Sequence, residues 1–436
     1  MSTTRRKTRV VCISDTHNQT PKLPPGDVLI HAGDLTNQGS YTELKRKVEW
    51  LEKQDFEAKI VIAGNHDITL DKPFFEENKA SWKWPGFQDT EACRKLLTES
   101  KSITYLENES TTVRLPRRGT WFTVFGSPCT PKQQLADWAF QYEPNEAEKV
   151  WNRIPNGVDI VVTHTPPMGQ CDGVGASRQQ KDGRSGCPAL LRRLEIVRPM
   201  LNICGHIHNG RGVETVQWRR RSSSLQLHGQ PTTMDSGTLV SSVQFWNDPG
   251  ASSKKLSLVD LTTMRARAGR GSGCDHTSLT RQLQPDSRCD HLQGQPDASF
   301  APDQTGHKPP SGGDAKGEKL NPTASLTDVA LRDSEALWGG SRGKAGGGGG
   351  LEHHDESDTG HGCPDEATQY IAERPRGMPP SGTEVARSQT TVINAAYLGP
   401  RVAGKTSVVY NKPIVVDVEL PVWGSLDEPS EVYPQG

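Results

Sequence analysis

The sequence predicts an α/β fold of two mixed β-sheets packed face to face, with helices on the outside. Three observations carry that prediction. Short apolar, β-branched runs recur at Val10 to Ile13, Val28 to Ile30, Ile60 to Ala63, Ile160 to Val162 and Leu201 to Cys204, and each stops at a polar or glycine-containing patch. Unbroken runs of that length read as buried strands ending in loops. Segments with helical spacing alternate with them at Tyr41 to Glu57, Glu146 to Ile154 and Pro188 to Val197, the pattern of an α/β fold. Later strands come in hairpins instead, with Arg117-Arg118-Gly119 as the turn between Thr111 to Leu115 and Thr120 to Phe125.

Strand signal continues at Val243 to Trp246 and Leu256 to Leu261, then fades. From about Arg265 to Ser388 there is almost no periodicity, and the stretch holds the unbroken run Gly346 to Gly350 among many Ser, Pro, Asp and Gln residues. Hydrophobic residues make up only 33% of the 436 and mean hydropathy is −0.66, a deficit concentrated in this stretch. Such composition buries too little apolar surface to fold. Apolar strands then return at Thr390 to Tyr397 and Pro413 to Val418. The expected organisation is one domain over residues 7–263, a disordered low-complexity insertion over 264–388, and closing strands of the same domain over 389–424. Chain entropy grows slowly with loop length, so a long interruption is tolerable.

The patches at the strand ends are Asp15-Thr16-His17, Gly33-Asp34, Gly64-Asn65-His66-Asp67, Thr163-His164-Thr165-Pro166 and Gly205-His206-Ile207-His208. Carboxylate, imidazole and carboxamide groups are hard-to-borderline donors, suited to manganese, iron, zinc or magnesium, and no thiolate stands among them. Two such ions roughly 3.5–4 Å apart can hold a bridging hydroxide and clamp a phosphate. Phosphate ester hydrolysis is the chemistry to expect.

The ordered series DxH, GD, GNH[D/E], a lone His and GHxH resembles the calcineurin-like metallophosphoesterase superfamily. The resemblance implies a four-layer sandwich with Asp15, His17, Asp34 and His208 holding one metal. Asp34, Asn65, His164 and His206 would hold the second, with Asp34 bridging. His66 matches the family histidine that faces the scissile phosphate, which makes it the candidate general acid or stabiliser of charge on the transferring phosphoryl group, and Asp67 is the candidate for orienting that imidazole or raising its pKa. His31-Ala32-Gly33-Asp34-Leu35-Thr36-Asn37, Phe125-Gly126-Ser127-Pro128, Asp137 to Tyr142 and Gly205 to Gly212 further resemble the metallophosphoesterase domain-containing branch. The long insertion resembles a fungal-type member. That branch implies a phosphodiesterase acting on phosphodiesters, cyclic nucleotides included.

Trp138 and Phe140 are candidates for an aromatic wall against a nucleobase, and Asn37 or Arg211 for contacts to phosphate or ribose. Core packing and a solvated loop are the commoner reasons for such residues. His31, after an apolar strand, reads as a buried histidine behind the ligands.

Lys plus Arg number 51 and Asp plus Glu 52, a net charge of −1, so no global field favours nucleic acid or a membrane surface. No run of about 18 apolar residues exists to span a bilayer. Nine cysteines at irregular spacing do not read as a disulfide framework. Cys274-Asp275-His276 and Cys289-Asp290-His291, with His361 and Cys363, match no familiar zinc module. Arg5, Arg6 and Lys7 lack a following signal-peptide core, so cytoplasm is the expected address, with the nucleus open. The expected partners are a small phosphoester or nucleotide substrate and, for the insertion, unknown proteins.

The expected activity is metal-dependent phosphodiester hydrolysis through a metal-bridging hydroxide, with two divalent ions, Mn2+ or Fe2+/Fe3+ before Zn2+ or Mg2+. The alternatives are a phosphomonoesterase or protein phosphatase on the same centre, or a nucleotide-binding scaffold without turnover. Acid is expected to inactivate the enzyme by protonating His17, His164, His206 and His208.

Overall fold

In chain order the first strands are β1 (Arg5–Ile13), β2 (Val28–Ala32), β3 (Ala58–Ile62), β4 (Thr104–Tyr105), β5 (Glu109–Leu115), β6 (Thr120–Ser127), β7 (Thr130–Pro131), β8 (Gln141–Tyr142) and β9 (Ile160–Thr163). There follow β10 (Leu201–Cys204), β11 (Gly212–Trp218), β12 (Val240–Phe245), β13 (Ser257–Asp260), β14 (Thr280–Gln282), β15 (Gln389–Asn394), β16 (Leu398–Arg401), β17 (Val408–Tyr410) and β18 (Ile414–Pro421). The helices are α1 (Tyr41–Glu52), α2 (Lys72–Asn78), α3 (Thr90–Thr98), α4 (Ala147–Trp151) and α5 (Pro188–Val197). This computed structural model describes residues 4–132, 137–173, 185–219, 240–250, 252–262, 280–282, 387–401 and 408–422.

One sheet has the order β13-β18-β1-β2-β3-β4 and the other β14-β12-β11-β15-β10-β9-β6-β5. Their facing surfaces make one apolar layer: Val10, Cys12, Val28, Ile30, Ile60 and Ile62 from the first sheet meet Phe122, Val124, Ile160, Val162, Leu201 and Ile203 from the second. Because side chains alternate along a strand, the intervening residues point outward. Val11, Ile13, Leu29 and Val61 pack under Leu44, Val48 and Leu51 of α1 and Leu97 of α3. On the opposite side Phe125, Val161 and Cys204 pack under Trp151 of α4 and Leu190 and Leu194 of α5. The result is the four-layer sandwich, and burial on both faces is why these strands lack polar alternation.

Local signals set the helices. The Glu43 carboxylate accepts the Ser40 N–H at 3.0 Å, closing a capping box on α1. α1 stops at Glu52 rather than running to Glu57, because the Glu57 N–H is taken by the Asp27 carbonyl as the chain enters β3. Pro144–Glu146 forms a 3₁₀ turn ahead of α4. α5 spans Pro188–Val197, as its spacing predicts. The short α2 starts at the Asp71 cap, and α3, which buries Thr90, Cys93 and Leu97 on one face, starts at the Asp89 cap.

The C-terminal strands enter the interior of both sheets: β15 lies between β10 and β11, and β18 between β13 and β1. Thr280–Gln282, within the segment expected to be an insertion, pairs with β12 as a short strand. Residues 264–279 and 283–386 of that segment, including Cys274, Cys289 and Cys363, lie outside the described residues.

β18 is pinned to β1 by charge as well as by its ladder. Arg9 holds the buried Asp417 with two hydrogen bonds of 2.7 and 2.9 Å, and Lys7 reaches the same carboxylate at 2.8 Å. Burial pushes the Asp417 carboxyl up, but the bonds from Arg9 and Lys7 outweigh it and hold the pKa below the usual carboxylate range. A carboxyl depressed in the folded state contributes stability above its unfolded pKa, and that contribution disappears as pH falls through the folded value. Asp417→Ala should therefore cost about 1–2 kcal/mol in urea unfolding at pH 7, and the gap from the unmodified chain should narrow below about pH 4. A gap of equal size at pH 7 and pH 3 would show that the ion pair is not its source.

Candidate metal centre

β1, β2 and β3 run parallel, as do β6, β9, β10 and β15, so their carboxyl ends collect at common edges of the two sheets. The edges are tied together: the Ser14 N–H donates to the Ala395 carbonyl at 3.0 Å, and His164 Nδ1 donates across to the Ala32 carbonyl at 2.8 Å. Asp15 and His17 follow β1, Asp34 follows β2, Asn65 and His66 follow β3, His164 follows β9, and His206 and His208 follow β10. Carboxyl ends of parallel strands are where open α/β sheets bind ligands.

The backbone is bent hard to point these groups inward. Asp15, His17, Asp34 and His206 have φ of 51°, 41°, 52° and 64°, a left-handed region that costs a side-chain-bearing residue of order 1–3 kcal/mol. The loops are locked by mutual bonds: the Asp34 carbonyl accepts the N–H groups of Thr16 and His17 at 3.0 and 3.1 Å, and the Asp15 carboxylate accepts the His206 N–H at 3.0 Å. Gly205 is required by contact, since a Cβ there would stand 2.0 Å from Ser14 Oγ and 2.2 Å from Asp15 Oδ2. Gly33 combines φ of 97° with a Cβ direction blocked by His164.

The side chains form three overlapping groups. Asp15, His17 and His208 bring their ligand atoms within 4.8 Å of one another, as do Asp15, Asp34 and His164, and His17, Asp34 and His66. Asp34 Oδ2 lies between two histidines, 3.6 Å from His17 Nε2 and 3.3 Å from His164 Nε2. Asn65 Oδ1 is 3.0 Å from His164 Nε2 and 2.9 Å from His206 Nδ1. All seven ligand residues expected from the sequence therefore meet.

These groups fit a cation. Both ring nitrogens of His17 are buried without a hydrogen-bond partner, an arrangement costly for imidazole unless a nitrogen lone pair meets a positive charge. His164 donates Nδ1–H to a backbone carbonyl, the support usual behind a ligating histidine. Burial first, and neighbouring histidines second, hold His17 and His206 down to about 3, so both are neutral near pH 7. For His164 burial is overcome by Asp34, which raises it to about 9. Acid reaches His17 and His206 only near pH 3, because burial opposes their charged form.

His66 sits beside this cluster. Its Nδ1 donates to the Asn37 carbonyl at 2.9 Å, and its ring lies 4.7 Å from His17 and 4.2 Å from Trp138. Asn37 thus reaches the site through its backbone. Asp67 does not orient the imidazole. Its buried carboxylate instead accepts the N–H groups of Leu35, Thr36 and Gly64 at 3.1, 3.0 and 2.9 Å and the Thr36 hydroxyl at 2.7 Å, so it clamps two ligand loops together. Four donors on one carboxylate leave it nothing to share with His66.

Two substrate candidates are displaced. Phe140 is packed in the α1-side core, 6% exposed, where apolar contact holds it. Arg211 pairs with Asp248 and donates to the Lys412 carbonyl at 2.8 Å, which turns its two terminal nitrogens to protein partners while its buried Nε has none among the described residues. Trp138 remains half-buried beside His66. His31 is fully buried, its Nε2 2.9 Å from Thr16 Oγ1, which also accepts from the buried Lys47 ammonium at 2.8 Å.

One residue with a structural hold on the centre escapes sequence reading. Asn394, at the end of β15, donates from Nδ2 to the carbonyls of Cys171, Ile207 and Gly205 at 3.0, 2.9 and 3.4 Å, bracketing His206. The signal was present only as a polar residue closing an apolar strand. Asn394→Ala removes the one side-chain amide that ties these three carbonyls together and should weaken manganese binding roughly 10–100-fold. Asn394→Asp should not restore it, because a carboxylate cannot donate. Unchanged manganese affinity in calorimetry would remove Asn394 from the support of the centre.

A profile described as Calcineurin-like phosphoesterase matches residues 8–210. The chain is 41% identical over 218 residues to human Metallophosphoesterase domain-containing protein 1, covering 47% of this chain and 62% of that protein. It is 31% identical over 221 residues to UPF0046 protein C25E10.12 of Caenorhabditis elegans, covering 48% of this chain and 72% of that one. A protein of Emericella nidulans named Probable rhamnogalacturonate lyase C is 41% identical over 218 residues, but these make up 50% of this chain and only 18% of that protein. With the ordered ligand loops and the four-layer sandwich, these matches lead to one conclusion: the chain belongs to the calcineurin-like phosphoesterase family.

Proposed function

We propose that the protein is a metal-dependent phosphodiesterase acting on phosphodiesters such as cyclic nucleotides. The observation that carries the reading is the Asp34 carboxylate placed between His17 and His164, with one ring nitrogen of the neighbouring His66 held by the Asn37 carbonyl. In this reading Asp15, His17, Asp34 and His208 hold one divalent ion, and Asp34, Asn65, His164 and His206 hold the other. Manganese or iron suits these donors, as do zinc and magnesium. When bound, the pair supplies Lewis acidity at the phosphate and activates water.

The protein's own share is positional. Asp67 and Asn394 fix the ligand loops, burial keeps His17 and His206 neutral, and the Asn37 carbonyl fixes one ring nitrogen of His66 so that the other is left for the leaving-group oxygen. A reducing compartment such as the cytoplasm accords with six free buried cysteines among the described residues. No described helix is long and apolar enough to cross a membrane.

The test is hydrolysis of bis(p-nitrophenyl) phosphate against p-nitrophenyl phosphate, with and without added manganese. Metal-dependent turnover that favours the diester is expected. Preference for the monoester would move the assignment to a phosphomonoesterase or protein phosphatase. Metal binding without turnover of either would leave a nucleotide-binding scaffold.

A further inference from the structure

Beside the ligand cluster a series of rings runs outward from His66. Trp138 lies against His66 with centroids 4.2 Å apart, and Trp82 meets Trp138 edge-on at 5.2 Å. Trp84 follows 6.4 Å from Trp82 and 5.2 Å from Phe75. The outer end is anchored, since Phe75 is buried and the Trp84 indole N–H donates to the Lys79 carbonyl at 2.9 Å. Trp82 and Trp138, the two rings nearest His66, are only half-buried.

Large half-covered indole surfaces are unfavourable in water, and Trp82 and Trp138, packed on one side against the α1-side core, leave theirs next to His66 and the ligand cluster. Trp82 and Trp138 are far apart in sequence and come from separate loops, so the fold brings them together rather than local packing. Trp138 lies against the imidazole assigned to the leaving group at a tilt of 38°, and Trp82 crosses Trp138 at 61°, so the two indoles make a corner beside it. We infer that Trp82 and Trp138 form a subsite for a planar aromatic ring carried on the substrate's phosphoester, a nucleobase or an aryl group. Aromatic faces accept any such ring by stacking, without hydrogen-bond readout. The inference rests on the phosphodiesterase reading for its substrate, but its test does not depend on turnover.

The experiment measures binding of adenosine 5′-monophosphate, phenyl phosphate and glycerol 3-phosphate to the full manganese-loaded chain by calorimetry, for the unmodified protein, Trp82→Ala and Trp82→Phe. Trp82→Ala should weaken the two aromatic ligands roughly tenfold or more relative to glycerol 3-phosphate, and Trp82→Phe should retain most of the preference. Loss for adenosine monophosphate alone would assign the subsite to nucleobases, and loss for both to any aryl ring. Equal weakening of all three ligands, or of none, would overturn the subsite. In the unmodified chain, tryptophan fluorescence should be quenched by adenosine monophosphate and not by glycerol 3-phosphate; absence of that contrast overturns the proposal even where Trp82→Ala fails to fold. Turnover of bis(p-nitrophenyl) phosphate separates the two ideas, because ring discrimination without turnover would sink only the phosphodiesterase reading.

Discussion

Asp34→Asn should remove metal binding and turnover together. The Asp34 carboxylate faces both His17 and His164 with one oxygen, and its other oxygen accepts the His66 backbone N–H at 2.9 Å. Asparagine preserves size and can still accept that bond, which keeps the loop intact. It replaces the shared oxygen by an N–H donor, or turns a neutral oxygen toward the cluster, and in either case the negative charge between the two sites is lost. A divalent ion at each site then has no common counter-charge, so the expected loss in kcat/KM is on the order of 10³-fold or more, about 4 kcal/mol. Metal content of the purified protein and a thermal melt check this together. Full metal occupancy in the variant would refute the bridging role, whereas a collapsed melting transition would point to a folding role instead.

His66→Ala should separate rate from metal. His66 also lies within ligand distance of His17 and Asp34, so a ligand role is the physical alternative. Against that alternative, its ring is oriented by the Asn37 carbonyl and flanked by Trp138, a setting suited to delivering a proton. Loss of a general acid typically costs roughly 10²–10⁴ in rate. The loss should be smaller for p-nitrophenolate, which leaves readily unprotonated, than for an alkyl leaving group. Metal content should match that of the unmodified chain. Metal loss as complete as that of Asp34→Asn would make His66 a ligand and remove the general acid from the scheme.

Much of this site can be read along the chain because its information is local. Each ligand pair sits in a patch of four residues or fewer behind an apolar strand, and continuous apolar runs such as Val10 to Ile13 follow directly from burial on both sheet faces. Asp67 shows where local reading fails: adjacency to His66 suggested a partner, yet the carboxylate points to the backbone of Leu35 and Thr36 instead. Phe140 and Arg211 fail similarly, since an aromatic or a charge beside a motif carries no record of which distant surface will cover it.

The sequence by itself determined the ligand types, their order, the strand ends that carry them and the sandwich that such strands must build. The tertiary structure alone decided that Asn394 would bracket His206 across nearly two hundred residues, that Trp82 would join Trp138, and that Asp15 and Asp34 would hold left-handed backbone. The division has a physical origin. Donor chemistry and hydrophobic period are properties of neighbouring residues, whereas strain and buried hydrogen bonds are settled only when packing brings remote strand ends together and leaves each polar group a single partner within reach.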